Sequence, residues 1–167
     1  MLRLPSLKQY PRAPFVISLV IGVGLVAGGV TLAQLLHLAA CPLCIWQRML
    51  YLTLSVAALL GLAAGSHRLW QRFAALLMTA SAATGVFVAA YQTYIQRFAQ
   101  DTQCSGTEAW WESFVDWAGA RMPLLFHASG LCSDPAWKML GLSIAEWSLL
   151  AFCFLSVLAL YALLRSE

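Results

Sequence analysis

The sequence predicts an all-α membrane protein: a four-transmembrane-helix bundle with both termini in the cytoplasm and one long loop facing outward. Hydrophobic residues make up 61% of the 167 residues and charged residues only 10%, whereas soluble domains have roughly 45–50% and about 25%. A chain of this length cannot bury so much apolar surface in a core of its own. The apolar residues fall instead in four runs, each near the ~20 residues that a helix needs to cross a bilayer.

The four predicted spans follow from the stretches that are almost free of charge. They are residues 15–36, 45–65, 73–95 and 147–164. A cleaved signal peptide also has a basic start and an apolar run, but that run is about 7–15 residues long, and the first run here has 22. The whole chain, residues 1–167, is therefore predicted to be a single integral membrane domain.

The basic residues predict the orientation, because cytoplasmic flanks carry an excess of Lys and Arg. One side of the predicted bundle collects Arg3, Lys8, Arg12, Arg68, Arg72 and Arg165. The other side has basic residues that acids outnumber: Arg97, Arg121 and Lys138. Residues 37–44 and 96–146 are therefore expected to face outward. The formal net charge of +3 is too small and too dispersed to indicate a nucleic-acid partner.

Part of the outward loop has the pattern of a short interfacial helix. Its apolar residues would line one broad side, with Glu112 and Asp116 on the other: Trp110, Trp111, Phe114, Val115, Trp117 and Ala118. Aromatic side chains of this kind settle at the level of the lipid headgroups. We expect this stretch to lie on the membrane surface.

The segment Cys41-Pro42-Leu43-Cys44 is the strongest candidate for chemistry. Its two thiols lie between the first two spans, at a membrane edge. Arg48 follows Cys44 by four positions, so a helix that begins at or just before Ile45 would place the cation on the face of that thiol. A helix start and a nearby cation both favour the thiolate, which is the reactive form of cysteine.

Other interpretations of this segment have less support. A zinc site needs four ligands, and the sequence has no second C-x-x-C pair and no closely spaced histidine pair; no metal site is predicted. Residues 38–41 resemble the lipobox of bacterial lipoproteins, but the apolar run before them is too long. Arg48 could simply snorkel to the interface, yet it lies on the outward side, near a helix N-terminus, with no acid within a turn.

Cys104 and Cys132 form a second candidate pair, 28 positions apart in the outward loop. An oxidising compartment would permit a disulfide between them. That bridge could be a structural staple, or it could be a redox pair that exchanges with the first pair through mixed disulfides. Cys153, inside the fourth span, is expected to be a packed thiol. His127 lies five positions before Cys132, and an ordinary loop histidine is the simpler interpretation.

Together these residues resemble the DsbB family, bacterial inner-membrane quinone reductases that reoxidise the periplasmic thiol oxidase DsbA. The resemblance covers nearly the whole chain: four spans, Cys-Pro-Leu-Cys-Ile-x-x-Arg at 41–48, Cys104, and Ala128-Ser129-Gly130-Leu131-Cys132. It implies a multi-pass protein of the bacterial cell inner membrane whose redox site is on the periplasmic face.

The resemblance further implies a relay of electrons through two cysteine pairs. Cys104 would be attacked by a DsbA-like partner, a periplasmic thioredoxin-fold oxidase. Cys132 would exchange with Cys41, and Cys44 would face a bound quinone that takes the electrons.

The family also implies residues for the quinone, which is ubiquinone or menaquinone drawn from the membrane pool. Arg48 would hydrogen-bond a quinone oxygen and stabilise negative charge beside Cys44. Gln92 would line the same site, at a position where some members of the family have a histidine.

Two other functions compete with this relay. The vitamin K epoxide reductase family also combines a membrane C-x-x-C, loop cysteines and a quinone, but it places the C-x-x-C late in the bundle, whereas Cys41 follows the first span. The chain could also be a transporter or assembly factor with purely structural loop disulfides. In that case Cys41→Ser would lower stability without abolishing a thiol oxidation activity.

Overall fold

The fold is a bundle of four long helices with a small, irregular segment at one end. The computed structural model describes residues 12–65, 67–98, 110–134 and 137–165. The long helices are α1 (Ala13–Leu35), α2 (Pro42–Ala63), α3 (Arg68–Phe98) and α6 (Ile144–Arg165). Each contains an 18-residue stretch of high mean hydropathy, 2.4, 1.5, 1.9 and 2.2 in that order, and all four are long and apolar enough to cross a membrane. The predicted all-α, four-helix membrane fold is confirmed.

The centre of the bundle is a packed apolar core in which α3 contacts both α2 and α6, and α1 packs mainly on α2. Phe152 of α6 is fully buried and stacks on Tyr51 of α2, with ring centroids 4.0 Å apart. A side chain at Gly85 of α3 would collide with the Phe152 ring. Glycine at this position therefore allows α3 and α6 to approach closely.

The outer faces of the same helices carry large apolar side chains. Val20 is 64% exposed, Phe87 73% and Val157 67%. Exposed side chains of this kind on every long helix suit a lipid environment, because hydrocarbon chains solvate them without the cost that water imposes. The four helices thus carry bulky apolar side chains on their outer faces as well as in the core.

The second helix begins at Pro42, three residues before the predicted start at residue 45. Cys41 is the residue that caps it, since the Cys41 Sγ accepts a hydrogen bond from the Cys44 backbone N–H at 3.4 Å. Proline suits the first helical position because its missing N–H would have no partner there. Cys44 consequently lies in the first turn of α2 and not in the connection before it.

Two further helix starts also differ from the prediction. The third helix begins at Arg68 and ends at Phe98, so most of the turn that was expected before residue 73 is helical. The fourth long helix begins at Ile144 instead of residue 147. Its start is fixed by a reciprocal pair of hydrogen bonds: Glu146 Oε2 accepts from the Ser143 N–H at 2.7 Å, and Ser143 Oγ accepts from the Glu146 N–H at 3.4 Å.

The long connection between α3 and α6 contains the predicted short helix, α4 (Trp110–Arg121). It is followed by α5 (Pro123–Phe126) and by a hairpin that the sequence did not suggest, β1 (Lys138–Met139) and β2 (Leu142–Ser143). Gly141 turns the hairpin with a φ of 80°. That α4 lies on the membrane surface stays a prediction. Cys104 falls outside the described residues.

Candidate active site

The dithiol lies where the connection from α1 enters α2. Cys41 caps the helix and is 3% exposed, while Cys44 is partly exposed in the first turn. The Cys41 thiol donates a hydrogen bond to Cys44 Sγ, with the sulfurs 2.9 Å apart. Because Cys44 follows the cap residue Cys41 by three positions, about one helical turn, the two side chains point to the same side of α2. We call the end of the bundle that contains Cys41 and Cys44 the dithiol end.

Gln92 of α3 faces both sulfurs. Its Nε2 donates to Cys41 Sγ at 3.2 Å and to Cys44 Sγ at 3.1 Å. An amide nitrogen has two N–H groups, so one can serve each sulfur. Gln92 was predicted to line a quinone site, and the structure places it against the dithiol as well as on the wall of a cavity.

Gln47 of α2 is a site residue that the sequence analysis missed. Its Nε2 donates to Gln92 Oε1 at 2.8 Å, and both amides are buried. Since Gln92 Oε1 faces a donor, the Gln92 nitrogen must face the sulfurs. The available signal was an uncharged polar residue beside Arg48 in an otherwise apolar span, and such residues in membrane helices usually face the bundle interior.

Arg48 extends toward the long connection instead of into open solvent. Its Nη1 donates to the Leu125 carbonyl of α5 at 3.0 Å. The guanidinium is also near enough to interact electrostatically with Cys44 and, more weakly, with Cys41. All three of these neighbours belong to the protein. That Arg48 does more than snorkel to the interface stays a prediction.

Cys132 packs against the dithiol from the long connection. It is 2% exposed and clusters with Cys41, Leu43 and Val88. A hydrogen bond between the Cys132 and Cys41 side chains is the largest cause that raises the pKa of Cys41, followed by the hydrogen bond with Cys44 and by burial. Three thiols therefore lie close together: Cys132 packs against Cys41, and the Cys41 thiol is hydrogen-bonded to Cys44.

A cavity of about 590 Å³ opens beside these thiols. Most of its wall is apolar and comes from α1 and α6, including Gly28, Leu32, Leu150 and Ala151. Its polar end is formed by side chains already described: Cys41, Cys44, Gln47, Arg48 and Gln92. A cavity with this division suits a molecule that has a polar head and an apolar body.

A hydroxyl pair lies on the same cavity wall, one turn further along α2. The Tyr51 hydroxyl and Ser148 Oγ are 2.9 Å apart, and Tyr51 also donates to the Ser148 carbonyl at 3.2 Å. Neither residue stands out in the sequence, because their contact depends on which helix lies next to α2.

The remaining candidates lie elsewhere. Cys153 is exposed on α6, so the expectation of a packed thiol is wrong: the helix turns this residue outward, away from Phe152 in the core. His127 is exposed at the end of α5. Within the part of the chain that the structure describes, no group of His, Cys, Asp or Glu side chains could hold a metal ion.

Comparison with known proteins gives the same family over nearly the full length. Residues 11–162 match the family model of the disulfide bond formation protein DsbB. A disulfide bond formation protein B from Dechloromonas aromatica is 42% identical over 147 residues, 87% of each chain. Its counterpart from Stutzerimonas stutzeri is 35% identical over 160 residues, 94% of this chain and 97% of the other. This multi-pass protein therefore belongs to the DsbB family of membrane disulfide bond formation proteins.

Proposed function

We propose that this chain reoxidises a DsbA-like thioredoxin-fold oxidase and passes the electrons to a membrane quinone through two cysteine pairs. One observation carries the proposal: Cys132 packs against Cys41, and Cys41 and Cys44 line the polar end of an apolar cavity. A site for protein thiols and a site for an apolar acceptor thus share the same dithiol. A bundle with only structural disulfides would not need such a cavity beside its cysteines.

The residues around the cavity fit a quinone. A quinone has a ring with two carbonyl oxygens and an apolar tail. Arg48 would hold the ring by donating to an oxygen, and Gln92, whose N–H groups face the sulfurs, would line the wall beside the ring. The apolar wall from α1 and α6 would accept the tail, of either ubiquinone or menaquinone. When bound, the quinone supplies the oxidising equivalents, because its reduction to the quinol takes up two electrons and two protons.

The proposed exchange begins with reduced Cys104 and Cys132 and a Cys41–Cys44 disulfide. The Cys132 thiolate attacks Cys41 Sγ, so the Cys41–Cys132 bond forms and Cys44 leaves as a thiolate. The Cys104 thiolate then attacks Cys132 and releases Cys41. Two electrons have moved from the loop pair to the dithiol, and no external reactant has been consumed.

The surroundings of the dithiol suit these roles, in which Cys41 is attacked by Cys132 and Cys44 leaves as a thiolate. Cys44 receives hydrogen bonds from the Cys41 thiol and from Gln92, and Arg48 places a positive charge nearby. These groups stabilise a thiolate at Cys44, on the cavity wall. The raised pKa of Cys41 keeps that sulfur protonated, so Cys41 is the donor within the pair.

The same proposal assigns the location. We infer a single membrane domain in the bacterial inner membrane, with both termini cytoplasmic and the dithiol end at the periplasmic face. The distribution of Lys and Arg supports this orientation, and so does the need for a periplasmic partner to reach Cys104.

The test is quinone-dependent oxidation of a reduced thioredoxin-fold oxidase by the purified protein. We expect Cys44→Ser to stop quinone reduction, since no thiolate then faces the cavity, while part of the quinone binding remains. Quinone reduction is followed by its ultraviolet absorbance. Cys153→Ser is the matched control and should turn over like the parent, because Cys153 does not line the cavity. Full turnover by Cys44→Ser would overturn the relay.

A further inference from the structure

The connection between α1 and α2 is held to the long loop by backbone hydrogen bonds. The Ala40 carbonyl accepts from the Ser129 N–H at 2.9 Å and from the Gly130 N–H at 3.0 Å. Both lone pairs of one carbonyl are thus used by consecutive residues of the loop. We call Ala40, Ser129 and Gly130 the backbone clasp. It ends one residue before Cys41 and two residues before Cys132.

Close approach of the two backbones explains the glycine in the clasp. A Cβ at position 130 would lie 2.5 Å from the Ala39 carbonyl oxygen and 3.0 Å from the Ala39 carbonyl carbon. These are backbone atoms, so they cannot rotate away as the end of a flexible side chain would. Any residue other than glycine at position 130 must push the loop off the connection.

The clasp lies next to the contact between Cys132 and Cys41, which the proposed exchange needs. Cys132 is buried against Cys41. Each of these cysteines closely follows a residue of the clasp, Cys41 in the α1–α2 connection and Cys132 in the long loop. Because disulfide exchange requires the attacking sulfur to reach its target along the axis of the breaking bond, a small displacement of the loop lowers the rate and the equilibrium yield together.

We propose that the backbone clasp is a positioning device that sets the effective concentration of the Cys132 thiol at Cys41. This inference rests on the proposed function for its purpose, and it adds no reactant to the exchange. In the step concerned, the Cys132–Cys41 bond forms while the Cys41–Cys44 bond breaks, and the electron pair leaves with Cys44 as the thiolate. The clasp itself is unchanged by the step.

The experiment isolates this contact from quinone and partner. In a chain carrying Cys44→Ser, Cys104→Ser and Cys153→Ser, only Cys41 and Cys132 remain. The purified protein is equilibrated with glutathione redox buffers, and alkylation followed by a gel shift gives the fraction of the Cys41–Cys132 disulfide. That fraction yields the effective concentration of the two thiols.

We expect Gly130→Ala to lower this effective concentration about tenfold or more, since it displaces both backbone hydrogen bonds. Ser129→Ala is the matched control: the side chain of Ser129 is exposed, and the substitution retains the backbone N–H, so the value should equal that of the parent. Ser129→Pro deletes one of the two donors and should lower the value even if Gly130→Ala does not fold.

A second readout separates positioning from general damage. In a chain carrying Cys104→Ser, Cys132→Ser and Cys153→Ser, only Cys41 and Cys44 remain, and the equilibrium of their disulfide with glutathione involves a small thiol that the clasp does not hold. We expect that equilibrium to be the same in Gly130→Ala and the parent. An unchanged effective concentration in both Gly130→Ala and Ser129→Pro would overturn the inference. That result would leave quinone reduction by the parent untouched, so the two proposals fail separately.

Discussion

Gln92 is the side chain that contacts both sulfurs of the dithiol, and its amide is held in one orientation by Gln47. Hydrogen bonds to a charged acceptor are stronger than those to a neutral one, so Gln92 favours the reduced pair when Cys44 is a thiolate. We predict that Gln92→Leu makes the Cys41–Cys44 disulfide harder to reduce, by about 30–60 mV. A glutathione titration without quinone measures this shift.

Gln47 should act only through Gln92. Gln47→Leu is therefore expected to shift the reduction potential in the same direction by a smaller amount, and the double variant should shift it no further than Gln92→Leu alone. Gln71→Leu is a control, since the Gln71 amide donates to the Gly65 carbonyl, beside the start of α3. Additive shifts from Gln47→Leu and Gln92→Leu would contradict this coupling.

Cys41 should ionise only at high pH. Its hydrogen bond with Cys132, the one with Cys44 and its burial all raise the pKa of this thiol. Alkylation requires the thiolate, so in the reduced protein the midpoint of its pH dependence should lie above the ordinary thiol value of about 8.5. Cys132→Ala removes the largest cause and should lower the midpoint. Peptide mass spectrometry after timed alkylation resolves Cys41 from the other cysteines.

The same shift has a consequence for stability. A thiol whose pKa is raised by folding stabilises the protein fully below its unfolded value, and that contribution declines as the pH rises above about 8.5. Loss of stability above this pH in the reduced parent, and less of it in Cys132→Ala, is the expected pattern. A midpoint for Cys41 that is the same in both proteins would show that Cys132 does not hold the proton on Cys41.

Among individual residues, the contacts that follow from local spacing could be predicted from the sequence, whereas the contacts between helices could not. Cys41, Cys44 and Arg48 are found together because they lie within two turns of one helix, which is a property of the sequence itself. Gln47 and Gln92 are 45 positions apart, and their contact exists because α2 packs against α3. No pattern within either helix specifies that pairing.

Among the elements, the start of α6 is held by the reciprocal hydrogen bonds of Ser143 and Glu146. We predict that Ser143→Ala lowers the free energy of unfolding by about 1 kcal/mol, the usual effect of losing such a cap. Arg97 of α3 also binds Glu146, but the Arg97 side chain is 54% exposed. Arg97→Met should therefore cost less than about 1 kcal/mol. Denaturation in mild detergent compares the two variants, and a larger loss from Arg97→Met would reverse this order.

The four long helices could be predicted because apolar runs are visible along the chain. The residues at which these helices begin could not be predicted. Hydropathy places the middle of a span, but the start depends on a cap. Cys41 caps α2 with a sulfur and Ser143 caps α6 together with Glu146, and both caps lie outside the apolar runs. The hairpin of β1 and β2 was missed for a related reason: strands of two residues have no periodicity to detect.

At the scale of the whole molecule, the cavity is lined by all four long helices and, at the dithiol end, by residues of the long connection. Its existence depends on how far α1 and α6 stand apart, which the apolar runs do not reveal. Gly28 and Leu32 look like ordinary residues of a span, and so do Leu150 and Ala151. Their placement on the wall of the cavity that Cys44 also lines makes them candidate contacts for an apolar tail.

Binding in this cavity should stabilise the whole bundle, because a ligand that binds only the folded state shifts unfolding by about 2.7 kcal/mol at a concentration of 100 Kd. We predict that a short-chain ubiquinone analogue raises the thermal unfolding midpoint of the parent and raises that of Arg48→Met much less. Loss of one charged hydrogen bond, worth about 1.5–3 kcal/mol, corresponds to roughly tenfold to hundredfold weaker binding. Arg121→Met is the control, since Arg121 lies over the Trp117 ring on α4. Without ligand, Arg48→Met should lose only about 1 kcal/mol, because Arg48 is partly exposed and water can replace its bond to Leu125. An equal ligand-induced shift in both proteins would return Arg48 to the role of an interfacial cation.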